Sequence, residues 1–235
     1  MTESIIRDNL AGIHARIEAA CARADRDPSE VGLICVSKTK PAEAVREAYD
    51  AGERLFGENK VQEIREKAPV LPSDIRWHMI GHLQTNKVKQ VIGHAAMIHG
   101  IDSLRLAQAV SKEAVKAGIV MPVLIEVNMA AEESKFGILP EDAAAFAGEI
   151  LPLPGIRIEG LMTIAPYTEN PEENRVYFRS LRKLLVDINA KYSDNLCMHV
   201  LSMGMTGDFE VAIEEGATFV RVGTGIFGER NYNIK

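Results

Sequence analysis

The chain has 235 residues, of which 46 % are hydrophobic and 26 % are charged. This composition is that of an ordinary globular protein and excludes a disordered or collagen-like chain. A formal net charge of −6 disfavours nonspecific binding to nucleic-acid phosphates. No apolar run approaches the length of a membrane span, and residues 1–8 are polar, unlike a signal peptide. Cys21, Cys35 and Cys197 lie far apart without a CxxC spacing, which predicts a protein of the reducing cytoplasm.

The predicted elements begin with one amphipathic helix and continue as an alternation of short apolar runs and helical patterns. The first helix is indicated by apolar residues at helical spacing: Ile6, Leu10, Ile13, Ile17, Ala20 and Ala24. Eight strands are predicted at residues 33–37, 54–57, 77–81, 97–101, 122–128, 156–162, 198–202 and 218–223. Four helices are predicted to begin near Pro41, Thr85, Ser103 and Pro140. A fifth, the longest, carries Tyr177 and Leu181 on one face, and the last begins near Thr206.

Eight strands, each followed by a helix or by the chain terminus, favour a parallel sheet with right-handed crossovers. At this length the economical arrangement is an α/β fold with a single (β/α)8 TIM barrel and an extra N-terminal helix. A doubly wound open sheet is the alternative. No linker-like segment or change of composition divides the chain, so one domain is predicted over residues 1–235.

In a (β/α)8 barrel the functional face lies at the C-terminal ends of the strands. The strand interiors are predicted to be almost wholly apolar. The positions at the strand ends are instead polar: Lys38, Asn59, His82, Asp102, Asn128, Thr163, Ser202 and Arg221. The two-residue period of a strand places Lys38 on the face of Ile34 and Val36, and Arg221 on the face of Phe219. Both cations are therefore expected to face one cavity.

Lys38 has two interpretations. A lysine at an inward strand end is partly desolvated, which favours the neutral amine that attacks a carbonyl group. Alternatively, Lys38 is an ordinary surface lysine near a loop, as Lys40 is expected to be.

A phosphate site is predicted from two glycine-containing loops, residues 202–208 and 223–225, because glycines let backbone amides approach a ligand and hydroxyls add donors. Tight turns are the alternative explanation of these glycines. Residues 223–228 also match GxGxxG, but no βαβ unit follows them, so we reject a dinucleotide site. His78 and His82 lie four apart on one predicted strand face; polar lining of a pocket is favoured over a metal site because no third ligand has matching spacing.

Seven segments spread in order over nearly the whole chain carry a family resemblance: residues 36–41, 56–59, 77–84, 132–137, 160–164, 201–205 and 221–230. Together they resemble the pyridoxal phosphate homeostasis protein family, whose fold is similar to the N-terminal barrel domain of alanine racemase (fold type III among pyridoxal phosphate proteins). The resemblance implies that Lys38 forms an internal aldimine with pyridoxal 5′-phosphate (PLP). It further implies that Arg221 faces the pyridine nitrogen, with the other cofactor neighbours being Asn59 and His82 near the ring and Ser202, Gly204, Gly223 and Thr224 around the phosphate.

The resemblance also sets the expected function. An arginine can only donate to the ring nitrogen, so the ring is a poorer electron sink than one paired with a carboxylate. Racemases of this fold use a tyrosine from an additional β-domain as the second acid/base group. The chain is expected to lack that domain, and Tyr167 is a weak substitute. We therefore expect a monomeric, non-catalytic carrier of PLP with apo-enzymes as recipients and no metal, nucleic-acid or membrane partner. The alternatives are a PLP-dependent amino-acid racemase and a cofactor-free Schiff-base aldolase.

Overall fold

Eight parallel strands close into a barrel in chain order, with the first strand paired to the last. The computed structural model describes residues 5–229. It confirms the (β/α)8 prediction and excludes the open sheet. The strands are β1 Gly32–Val36, β2 Leu55–Glu58, β3 Arg76–Met79, β4 Ala95–Ile101, β5 Met121–Glu126, β6 Ile156–Met162, β7 Val200–Met205 and β8 Phe219–Val222.

Helices surround the barrel, and one precedes it, as predicted. They are α1 Ile5–Arg23, α2 Ala42–Asp50, α3 Val61–Lys67, α4 Val88–Val91, α5 Leu104–Lys116, α6 Pro140–Ile150, α7 Arg175–Lys191, α8 Phe209–Glu214 and α9 Thr224–Phe227. Over residues 5–229, none of the helices has both the length and the apolar character needed to cross a bilayer. The first four residues of the polar N-terminus and Arg230 of the last family segment lie outside the described residues.

The two faces of β1 show how the sequence positions the functional face. Leu33 and Cys35 pack into the core between the barrel wall and the helices. Ile34 and Val36 instead fill the barrel interior together with Ile80. This alternation confirms the predicted faces of β1; Lys38 lies two residues beyond the end of the strand.

The expectation of almost wholly apolar strand interiors is wrong at two positions. His78 on β3 and His99 on β4 are fully buried inside the barrel, where Arg221, a predicted cavity residue, is only 4 % exposed. Buried polar groups are tolerated when they are hydrogen-bonded, and these three are linked through one another and through Ser202.

Several predicted boundaries are also wrong. β7 was expected to end at Ser202 but continues to Met205, passing through Gly204 at a φ of +88°, which glycine adopts without steric cost. The helix predicted near Thr206 begins only at Phe209. β3 ends at Met79, so His82 lies beyond the strand and does not share a strand face with His78.

Two helices differ from the predicted set. The pattern beginning at Thr85 is a 3₁₀ turn followed by the four-residue α4. Helix α3 was not singled out because Val61 and Ile64 are its only two apolar side chains, too few for a periodic signal.

Candidate functional site

A cavity of about 310 Å³ opens at the C-terminal ends of the strands. Both predicted cations, Lys38 after β1 and Arg221 on β8, line it, as expected from their strand faces. Asn59, Gly223 and Thr224 of the predicted set line it as well. Lys38 is partly buried.

Arg221 is held from behind by two buried acceptors. One guanidinium nitrogen donates to Ser202 Oγ at 2.6 Å and another donates to the carbonyl oxygen of Thr163 at 2.9 Å. Burial lowers the pKa of Arg221 to about 10, although Glu126 and Asp208 oppose the shift. The guanidinium therefore stays protonated near neutral pH and presents only donors to the cavity.

The contacts of Arg221 continue into the barrel through two histidines. Ser202 Oγ lies 2.9 Å from His99 Nδ1, and His99 Nε2 lies 2.8 Å from His78 Nδ1. Burial lowers the pKa of His78 to about 3 and that of His99 well below its usual value. Both rings are therefore neutral. Ser202 Oγ accepts from Arg221; with its own proton donated to His99 Nδ1, His99 Nε2 donates to His78 Nδ1.

The loops after β7 and β8 carry a cluster of small donors at the cavity. Thr206 Oγ1 accepts long hydrogen bonds from the amides of Gly223 and Gly225, both at 3.4 Å, and one from Thr224 Oγ1 at 3.2 Å. A Cβ atom at Gly223 would lie 3.2 Å from the carbonyl oxygen of Val36. Glycine therefore keeps this backbone close to β1, where its amide makes only a long hydrogen bond to Thr206 at the cavity edge.

Three predicted cofactor neighbours do not line this cavity. The Ser202 hydroxyl is fully buried against Arg221 and His99. Gly204 packs beneath α8, where a Cβ atom would lie 2.6 Å from that of Ala212. These positions follow from the extension of β7 beyond its predicted end. Contact of Ser202 and Gly204 with a phosphate stays a prediction.

His82 lines two neighbouring pockets, one of which shares Asn59 with the main cavity. Its ring stacks on Phe136 with centroids 3.8 Å apart, and its Nδ1 lies 3.2 Å from Asp102. His78 faces His99 instead. Throughout residues 5–229, the His, Cys, Asp and Glu side chains form no group of three or more that could hold a metal ion.

Asn174 and Asp208, which were not predicted, connect two loops that border the cavity through hydrogen bonds. Asn174 Nδ2 donates to Asp208 Oδ2 at 2.8 Å and to the carbonyl oxygen of Pro166 at 3.0 Å. Asp208 Oδ1 accepts from the amide of Met205 at 2.6 Å. No sequence pattern pairs residues 34 positions apart, whereas the barrel brings the loops after β6 and β7 together. Tyr167, on the first of these loops, lines the cavity but is 94 % exposed.

Glu126 is a second missed residue, at the C-terminal end of β5 and only 6 % exposed. Burial raises its pKa from 4.5 to about 7, the carboxylate of Asp102 adds to the shift, and Arg221 opposes it. A raised pKa means that the folded protein binds this proton more tightly than the unfolded chain does. Glu126 therefore lowers the stability of the fold as the pH rises from about 4.5 to 7.

Glu126→Gln is expected to raise the free energy of unfolding at pH 8 by about 3 kcal/mol and to change it little at pH 4.5. The amide mimics the protonated carboxyl group that the buried site favours. Chemical unfolding at the two pH values measures the effect, with the exposed Glu149→Gln on α6 as the matched control. Equal effects of Glu126→Gln at both pH values would contradict the buried-carboxyl account.

Comparison with known proteins shows the family to which the chain belongs. The family model for the N-terminal domain of alanine racemase matches residues 9–231, so the barrel is of the class found in that group of proteins. A pyridoxal phosphate homeostasis protein of Aquifex aeolicus is 48 % identical over 226 residues, which cover 96 % of this chain and 98 % of that protein. The chain belongs to the pyridoxal phosphate homeostasis protein family.

Solved structures agree with this assignment. A protein of Bifidobacterium adolescentis is 39 % identical, with a TM-score of 0.89 over 95 % of this chain and 94 % of that one. PipY of Synechococcus elongatus, solved with PLP bound, is 36 % identical, with a TM-score of 0.82 over 95 % of this chain and 100 % of that one.

Proposed function

We propose that this protein binds PLP reversibly through Lys38 and acts as a carrier in intracellular PLP homeostasis. The observation that carries the proposal is the placement of a partly buried lysine and a buried arginine in one cavity, with a donor cluster on its wall. The relatives named as PLP homeostasis proteins and the PLP-bound PipY support it. When bound, PLP supplies an aldehyde with which a lysine amine condenses reversibly, releasing water.

The residues of the cavity fit the three parts of the cofactor. The amide of Gly223 and the hydroxyls of Thr206 and Thr224, which all line the cavity, suit a phosphate group, because short neutral donors bind its oxygens without crowding. Lys38 supplies the amine. Arg221 supplies a donor that keeps its proton, so a ring nitrogen facing it stays unprotonated. Asn59 lines the remaining wall.

The same arginine argues for binding rather than catalysis. An unprotonated ring nitrogen withdraws few electrons, so a carbanion next to the cofactor gains little stabilisation. Racemisation also needs acid/base groups on both faces of the substrate carbon. Tyr167 lines the cavity, but its ring is 94 % exposed, and within residues 5–229 no hydrogen bond orients it as a second acid/base group. We propose a monomer that gives PLP to apo-enzymes and, because its cysteines are free thiols, works in the cytoplasm.

Transfer to a waiting apo-enzyme tests the carrier function. Mixing the PLP-loaded protein with an apo-transaminase is expected to restore transaminase activity in proportion to the PLP carried. The absorption band of the loaded protein should fall at the same rate. A loaded protein that keeps its PLP while the transaminase stays inactive would contradict the carrier function. Sustained conversion of L- to D-amino acids that requires Lys38 would favour the racemase instead.

A further inference from the structure

We propose that Glu58, Glu63 and Lys67 are positioning residues that hold the backbone on both sides of Lys38 and so direct its amine into the cavity. We call these three residues the anchor cluster. It lies behind β1, between the barrel wall and α3, and none of its members lines the cavity. The inference rests on the proposed function, in which Lys38 binds PLP.

The residue before Lys38 is held at two atoms. Lys67 Nζ donates to the carbonyl oxygen of Ser37 at 2.9 Å, and Ser37 Oγ donates to Glu58 Oε1 at 2.7 Å. Ser37 is fully buried, and its hydroxyl points to Glu58, which does not line the cavity. The peptide that leads into Lys38 therefore has a fixed orientation.

The residue after Lys38 is held by the same cluster. The amide of Thr39 donates to Glu63 Oε2 at 2.6 Å. Thr39 has a φ of +65°, a left-handed conformation that is sterically unfavourable for a β-branched residue. A charge-assisted hydrogen bond at this amide stabilises a backbone that threonine does not adopt by preference.

A further contact ties the same segment to the other side of the cavity. Lys40 Nζ donates to the carbonyl oxygens of Phe227 at 2.7 Å and Glu229 at 3.0 Å, at the end of α9. Helix α9 begins at Thr224, which lines the cavity. The segment from Ser37 to Lys40 is thus bound both to α3 and to the loop after β8.

The anchor cluster is costly to bury, which argues that it does more than fill space. Lys67 Nζ lies 2.7 Å from Glu58 Oε1 and 3.1 Å from Glu63 Oε2, and the Lys67 and Glu58 side chains are 9 % and 0 % exposed. Burial raises the pKa of Glu58 against the attraction of Lys67. The second oxygen of Glu58 has no hydrogen-bond partner within the part of the chain that is described. The desolvation cost of such a buried pair offsets much of its attraction, so its presence is weak evidence for a stabilising role.

Three variants separate positioning from stability. Glu63→Ala removes the acceptor of the Thr39 amide, whereas Glu63→Gln keeps an oxygen acceptor there. Thr39→Gly relieves the unfavourable φ but frees the backbone next to Lys38. The control is Glu113→Ala, which breaks a Lys–Glu pair of 2.6 Å on the surface of α5. The measurements are the Kd for PLP, the thermal midpoint of the cofactor-free protein, and the fraction of Lys38 modified after borohydride reduction.

We expect Glu63→Ala to raise the Kd for PLP about tenfold, the effect of losing one charge-assisted hydrogen bond, and Glu63→Gln to recover most of the affinity. Thr39→Gly should raise the Kd for PLP, while the thermal midpoint of the cofactor-free variant stays at or above that of the parent. A purely stabilising role of this segment would not weaken binding without lowering the thermal midpoint. If borohydride reduction attaches PLP to Lys38 of the parent protein, but Glu63→Ala and Thr39→Gly have the parent's Kd for PLP, the positioning role is overturned and the proposed function is not. An unmodified Lys38 in the parent would overturn the proposed function and this inference together.

Discussion

Lys38→Ala is expected to yield a folded protein that no longer retains PLP through gel filtration and lacks the absorption band of the loaded protein. The donor cluster and Arg221 remain in this variant, so PLP should still bind, but with an affinity lower by roughly a hundredfold or more. Alanine at this position removes a partly buried side chain that lines a cavity. The thermal midpoint of the cofactor-free protein should therefore change little.

Lys60→Ala is the matched control for this experiment. Lys60 is an exposed lysine that borders a neighbouring pocket and does not line the main cavity. It should retain PLP as the parent does. Retention of PLP by Lys38→Ala, with an unchanged absorption band, would contradict the role of Lys38.

Gly160→Ala should cause the largest loss of stability. Gly160 lies on β6 opposite Val200 of β7, and a Cβ atom there would lie 1.8 Å from the carbonyl oxygen of Val200. The carbonyl belongs to the backbone of Val200 and a Cβ atom has a fixed position on its own Cα, so no side-chain rotation can relieve the contact. The β6–β7 pair must separate, and we expect a loss of about 3 kcal/mol or more in the free energy of unfolding.

Chemical unfolding measures this loss, and Gly12→Ala serves as its control. Gly12 is exposed on α1 and has no atom within 4 Å of the site of a Cβ atom. Alanine at position 12 should raise the free energy of unfolding by about 0.5–1 kcal/mol, because alanine is favoured over glycine inside a helix. Similar effects of the two substitutions would contradict the close approach of β6 and β7.

The sequence predicted the barrel because each of its signals is local. Alternation within β1 separates Ile34 from Cys35, and this alternation requires only neighbouring residues to be read correctly. The same parity correctly brought Lys38 and Arg221 to one cavity. The closed order of the strands followed from their number and from the handedness of the crossovers.

The remaining features of the site could not be predicted because they depend on pairs that are distant in sequence. His99 meets Ser202 across 103 residues, and Thr39 meets Glu63 across 24. The strand was expected to end at Ser202, with a glycine-containing loop after it; the structure instead continues β7 to Met205, through Gly204 at a positive φ. The contact of Ser202 with Arg221 joins residues 19 positions apart. Lys67 gave no signal because a lysine in a short helix is normally solvated.

Peptide mapping of the loaded protein after borohydride reduction tests the central proposal most directly. The reduction makes the link between PLP and an amine permanent, so the modified residue can be read by mass spectrometry. The proposal predicts one PLP per chain, attached to Lys38. Attachment to another lysine, or a loaded protein that carries no attached PLP after reduction, would contradict it.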